Sequence, residues 1–189
     1  MRRSLSFLLA AFVLSWAVVG NADEYTDTIS LFKNAGKSSA YFQHSYGYAV
    51  FPTIGKGGLV VGGAHGNGHV YKHGVYVGDT SMTQVSVGLQ AGGQAYSQII
   101  FFEYQRSFDK FTKGNFEFGA DVNAVAITAA AGASANTEGG ASAGASGGMK
   151  DAKTAGQYYK GVAVFTIVKG GAMYQATVAG QKFSFTPKA

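Results

Sequence analysis

The sequence predicts an α+β domain: a mainly antiparallel β-sheet of about seven or eight strands, curved or barrel-like, with an N-terminal helix packed on it. Three observations lead there. Apolar residues between Tyr25 and Ala40 recur at helical spacing. From Gly47 onward the apolar period falls to two, the period of strands. Glycines, 28 in all, interrupt short β-branched and aromatic runs, as bends, bulges and close backbone approaches require.

The elements follow in order. Residues 1–22 read as a cleaved export signal: Arg2 and Arg3, an apolar run from Leu5 to Val19, and small residues at Gly20-Asn21-Ala22. That run is short for a membrane span. A helix is expected from Asp23 to about Ser45, with Tyr25, Ile29, Phe32, Gly36 and Ala40 on one stripe widened by Leu31, Ala35 and Phe42. Asp23, Glu24 and Asp27 suit its positive N-terminal end. Gln84 to Ala91 alternates Val85, Val87, Leu89 and Ala91 with Gln84, Ser86, Gly88 and Gln90, as a half-buried strand would. Asn115 to Asn123 repeats the pattern through Phe116, Phe118, Ala120 and Val122. Ile99–Phe102 and Val162–Val168 are apolar on both sides and are expected to be central strands. Glu103 to about Thr112 is expected to be a short helix or turn, and Lys169-Gly170-Gly171 and Ala179-Gly180-Gln181 hairpin turns joining the last three strands. The Ala/Gly/Ser-rich stretch 129–156 has too little bulk for a core and is expected to be a flexible loop within a single domain, 23–189.

Charge narrows the function classes. The net charge is +5, and removing residues 1–22 takes two arginines and no acid, leaving +3. Such a domain is mildly attracted to anionic membrane surfaces and too weakly basic to argue for nucleic acid. The absence of cysteine excludes a lipobox, disulfides and thiolate metal sites.

The motifs exclude more than they assign. Gly55-Lys56-Gly57 lacks the earlier glycine and the hydroxyl of a P-loop, and Gly66-Asn67-Gly68 leads into a strand where a dinucleotide fingerprint needs a helix. His65, His69 and His73 are spaced by four, which on one regular strand would share a face; they are weak metal candidates, because glycines interrupt the strand and no carboxylate lies near them in sequence. No metal or cofactor is expected. Asp79, Thr80 and Ser81 with a distant histidine could be drawn as a triad, but no nucleophile elbow or carboxylate pair is present, and no enzymatic activity is expected. The basic residues Lys56, Lys72, Arg106, Lys110, Lys113, Lys169 and Lys182 are scattered, at strand ends and turns. Gathered at one end of a sheet they would form a cationic rim, with Tyr46, Tyr48, Tyr71 and Tyr76 as amphipathic contacts.

Several motifs in order carry a family resemblance: Tyr48-Ala49-Val50-Phe51-Pro52, Gly62-Gly63-Ala64-His65-Gly66, Ser86 to Gln94, Phe118-Gly119-Ala120, Lys169-Gly170-Gly171 and Gly180-Gln181-Lys182-Phe183. From about Tyr41 to Pro187 the chain resembles the SYLF domain family. The resemblance implies a compact α+β domain that binds phospholipid and has no catalytic role. In eukaryotic members the lipid-binding region begins with a basic amphipathic stretch, whereas this chain has a signal-like segment and an acidic-started helix. Phosphoinositide specificity and actin bundling are therefore not carried over.

The expected function is an exported, non-enzymatic, phospholipid-binding protein of the periplasm or envelope, not a lipoprotein. Lys56, Lys72, Lys169 and Lys182 would meet headgroups, and Tyr48 and Tyr71 the interface. The partner would be an anionic phospholipid or membrane surface, with an unknown protein partner also open. The alternatives are a small outer-membrane β-barrel, which the doubly apolar strand at Val162 to Val168 disfavours, and a structural interaction module without a lipid ligand.

Overall fold

The structure, a computed structural model, describes residues 21–58, 61–87, 93–127, 157–170 and 178–189. All but the end of the expected signal, and the stretch 129–156, lie outside them. Two helices, α1 (Asn21–Asn34) and the single turn α2 (Tyr41–His44), precede β1 (Gly47–Gly58), β2 (Val61–Lys72), β3 (Val75–Val87) and β4 (Gln94–Phe102). Helix α3 (Gln105–Thr112), β5 (Phe116–Glu117), β6 (Ala124–Ile127), β7 (Val162–Gly170) and β8 (Lys182–Pro187) complete the described elements. They build one curled sheet in the order β5-β8-β3-β2-β1-β4-β7-β6. Every pairing is antiparallel except β6 with β7.

Each face of the sheet has its own core. Inside the curl, Phe51, Ile54, Met82, Tyr96, Ile100, Phe102, Val164 and Phe183 pack around Phe108 and Phe111 of α3. Outside it, Ile29 and Phe32 of α1, with Ala35 just past its end, cover Val50, Ile99, Phe101, Phe165 and Ile167. Full burial of a ring such as Phe32 is worth about 2–3 kcal/mol. The stretches Ile99–Phe102 and Val162–Ile167 are buried on both sides, as their unbroken apolar runs imply. With α1 seated on the outer face, and β5 and β6 as edges among the described strands, the sheet does not fit a lipid-facing barrel wall.

Pro52 explains an irregularity at the centre of the sheet. β1 lies between β2 and β4, where proline cannot donate to the ladder, and the register slips on both sides between Val50 and Ile54. Ser97 Oγ donates to the Pro52 carbonyl at 2.6 Å and so holds the bulge closed. The curl is held from within by a buried amide exchange. Gln98 Nε2 donates to Gln181 Oε1 at 2.8 Å, and Gln181 Nε2 donates back to Gln98 Oε1 at 3.1 Å and to the Tyr96 hydroxyl at 3.2 Å. Burial pushes the Tyr96 phenol up to about 12 even though Gln181 donates to it.

The structure corrects three expectations. The helix does not run from Asp23 to Ser45. It stops at Asn34, because Ser38 Oγ donates to the Phe32 carbonyl at 2.6 Å and the glycine and serines of 36–39 favour a turn. Leu31 is 52% exposed and off the buried stripe. In the described part of the strand from Gln84 the polarity is reversed: Gln84 is buried, its Nε2 donating to the Ala179 carbonyl at 2.8 Å, and Val85 is 76% exposed. Asn115–Asn123 is not one strand, since Val122 N–H turns back to the Gly119 carbonyl and Ala120 is exposed. The expected hairpin turns at Lys169-Gly170-Gly171 and Ala179-Gly180-Gln181 would flank a strand within 171–177, which lies outside the described residues. Gly180, at φ 75°, turns the chain beside Phe118 before β8 pairs with β3 and β5.

Gly47 is where α3 meets the sheet. A Cβ there would lie 2.5 Å from the Tyr71 carbonyl oxygen and 2.8 Å from the Phe108 ring. Gly47→Ala should therefore cost about 1–3 kcal/mol in denaturant unfolding, the range for overpacking. Gly36→Ala, with nothing within 4 Å of the new carbon, is expected to be nearly neutral in the same experiment.

Candidate functional site

The register defines two ends of the sheet. One is the row Val162, Phe102, Gly47, Lys72, Val75, and α3 packs beside it through Phe102 and Phe108. The other is the row Gly170, Ala95, Gly55, His65, Thr83, Lys182. The lysines expected at headgroups divide between them. Lys169 lies at the second end, donating to Thr53 Oγ1 at 2.9 Å and pairing with Glu24 at 3.4 Å. Lys182 pairs there with Glu117 at 3.7 Å. Lys56 sits in the cross-strand row with Ala64 and Gln94, half-buried, and burial lowers its pKa. Lys72 stands alone at the first end, 5.3 Å over the Tyr46 ring; a hydrogen bond with that phenol raises its pKa, with a smaller contribution from nearby Asp109.

Tyr48 and Tyr71 pack against each other. Tyr48 is buried, and Tyr71 stacks on it at 4.9 Å and 16°. Burial, with Tyr71 nearby, pushes the Tyr48 phenol up to about 12. The histidines do not converge either. His65 is exposed between Gly55 and Thr83, and His73 occupies the β2–β3 turn. Among the described residues no group of three His, Asp or Glu side chains could hold a metal ion.

His69 has a structural setting. Tyr25 of α1 stacks on its ring at 3.4 Å and 4°, and its Nε2 lies 3.3 Å from Asp79 Oδ1, which also accepts from the Tyr76 hydroxyl at 2.8 Å. This links the start of α1 to the sheet. The drawn triad is not assembled: Thr80 Oγ1 donates to the Ser184 carbonyl at 2.6 Å, and Ser81 Oγ shares a 2.7 Å hydrogen bond with Ser184 Oγ.

Burial lowers the His69 pKa from 6.5, and Asp79 opposes the shift without cancelling it. The unfolded chain therefore binds the proton more readily. The stability that neutral His69 contributes is present above 6.5 and is lost as pH falls through that value towards the lower folded pKa. Unfolding midpoints should drop between about pH 7.5 and about pH 5.5, and drop less in His69→Gln; parallel profiles for the two proteins would refute the assignment.

Three cations without an ion pair gather on α3. Phe108 and Phe111 are buried, which turns Arg106, Lys110 and Lys113 outward around a shallow depression they share with Gln105 and Asp109. Among the described residues none of the three cations forms an ion pair. Tyr104, the N-cap of α3, is 46% exposed beside them. The signal was present in the sequence as i, i+4, i+7 spacing against an inward Phe108–Phe111 pair, but it is visible only once 105–112 is known to be helical.

The family model Ysc84, described as "Las17-binding protein actin regulator", matches residues 83–188, more than half of the chain. The chain belongs to the SYLF (Ysc84) family. That family is associated with lipid binding and linked to protein binding. Beta cell expansion factor A of Aeromonas veronii is 28% identical to this SYLF chain over 165 residues, which is 84% of this chain and 52% of that protein. The SYLF chain thus spans about half the length of this curated relative.

Proposed function

We propose that this SYLF domain is a non-catalytic lipid-contact module, exported to the periplasm or envelope, that meets anionic phospholipid end-on through α3. The supporting observation is the contrast in pairing between the two ends, with half-buried Lys56 the exception at the far one. Arg106, Lys110 and Lys113 are unpaired on the outward side of α3 with Lys72 near Asp109, while Lys169 and Lys182 are neutralised by Glu24 and Glu117 at the opposite end. Three cations at about 1 kcal/mol each give about 3 kcal/mol, short of millimolar affinity. Attachment is therefore reversible, sensitive to salt, and dependent on Lys72 and the exposed Tyr104 as well. Among the described residues no helix is long and apolar enough to cross a membrane, which accords with contact from one side.

A protein partner is the second reading. Val61 and Val85, 62% and 76% exposed, flank Gly63 on the outer face at the far end, an uncharged strip of the kind that protein contacts use. Sedimentation with phosphatidylglycerol vesicles at low salt separates the two. The combined change Arg106→Gln, Lys110→Gln and Lys113→Gln should weaken vesicle binding by about tenfold or more, and Lys169→Gln with Lys182→Gln should leave it unchanged. Equal losses in both variants, or no binding by the unmodified protein, would end the lipid reading.

A further inference from the structure

On the other side of Tyr46 from α3 lies a groove of about 440 Å³, formed by the end of α1, α2, the start of β1 and the β2–β3 turn. Lys33, Ser39, Phe42, Gln43, Tyr48 and His73 line it, and no acidic side chain does. Its size lies within the roughly 300–1,000 Å³ of small-molecule sites. We propose that this groove binds a phosphate group on a small organic ligand, with the Lys33 ammonium as its charged donor, the His73 imidazole, Gln43 and Ser39 as further donors, and Phe42 and Tyr48 beneath the ligand's apolar part.

Two details support this beyond charge. Lys33 Nζ lies 5.5 Å above the Phe42 ring, so a cation–π contact holds the ammonium at the groove without using its N–H donors. His73 has φ 47°, in the left-handed region that histidine, like asparagine and aspartate, adopts more often than most side chains. Its N–H donates to the Tyr46 carbonyl at 3.1 Å, and its ring stands edge-on to Tyr46 at 4.5 Å. The turn thus presents an imidazole to the groove. Phosphate, with its charge and several acceptor oxygens, suits an ammonium, an imidazole N–H and an amide better than a neutral ligand does.

The inference deepens the lipid-contact reading and rests on it only for the bilayer as a source of the phosphate; a free phosphate ester shares the same chemistry. The test titrates the full chain with inorganic phosphate and with glycerol 3-phosphate at constant ionic strength, reading the His73 ring signals by NMR. A saturable shift is expected, about tenfold weaker in Lys33→Gln, as the loss of one charge-assisted hydrogen bond implies. His73→Asn, which tolerates the turn, should keep the melting temperature and lose phosphate-dependent stabilisation. No saturable shift, or one that Lys33→Gln leaves unchanged, overturns the groove. Vesicle sedimentation then assigns the source. If Lys33→Gln with His73→Asn loses both phosphate and phosphatidylglycerol vesicles while α3 is intact, the groove takes lipid headgroups. If it loses phosphate alone, the groove takes a free ester. Phosphate binding by a protein that ignores vesicles would remove the lipid-contact reading and leave the groove standing.

Discussion

The hydrogen bonds exchanged between Gln98 and Gln181 tie together parts of the chain that the sheet order keeps apart. Gln98 belongs to β4, on one side of the central strand β1, and Gln181 precedes β8, which lies beyond β2 and β3 on the other. Only a strongly curled sheet brings them into contact. Both amides are fully buried, so removing one would leave the other's polar atoms without water or a partner, at a cost of about 1–3 kcal/mol. Curled this way, the sheet leaves an interior that Phe102, Phe108, Phe111 and Phe183 fill in mutual ring contact. Helix α3 is held there by its two phenylalanines, and its orientation follows from theirs.

From that orientation comes the electrostatic character of the molecule. A helix that buries Phe108 and Phe111 must show Arg106, Lys110 and Lys113 to solvent. Elsewhere several cations are answered nearby: Lys160 by Asp121, Lys169 by Glu24, Lys182 by Glu117. The Lys160 pairing, with a further hydrogen bond from Tyr159, holds the Asp121 carboxyl down at about 2 and joins the approach to β7 to the turn before β6. Such exposed pairs add little stability. Their effect is to leave the positive field concentrated where the acids are few.

Much of the architecture was legible in residue order. The apolar runs at Ile99–Phe102 and Val162–Val168 identified strands covered on both faces, and the phase of Ile29, Phe32 and Ala35 identified the face of α1 that is buried. Topology was not legible in the same way, because strand period says nothing about which strands are neighbours. Thus β8 next to β3, and β6 running parallel to β7, appear only in three dimensions. Gln84 misled for a related reason: a glutamine pointing inward is tolerated because the Ala179 carbonyl, 95 positions away, accepts from it. The site was legible as a list of cations and not as a place. Lys72, Lys169 and Lys182 look alike in sequence, and their difference lies in which carboxylate the fold sets beside each.

The Pro52 bulge leaves β1 long and nearly continuous from Gly47 to Gly58, and this length has a consequence for posture. A domain resting on its helix α3 stands its strands upright, with Gly47 low and Gly55 roughly 26 Å higher at about 3.3 Å per residue. That height is several times the screening distance of about 8 Å in physiological salt. The upper connections would feel almost none of the bilayer's field, so evolution could vary their charge freely without loosening the foot on which the molecule stands.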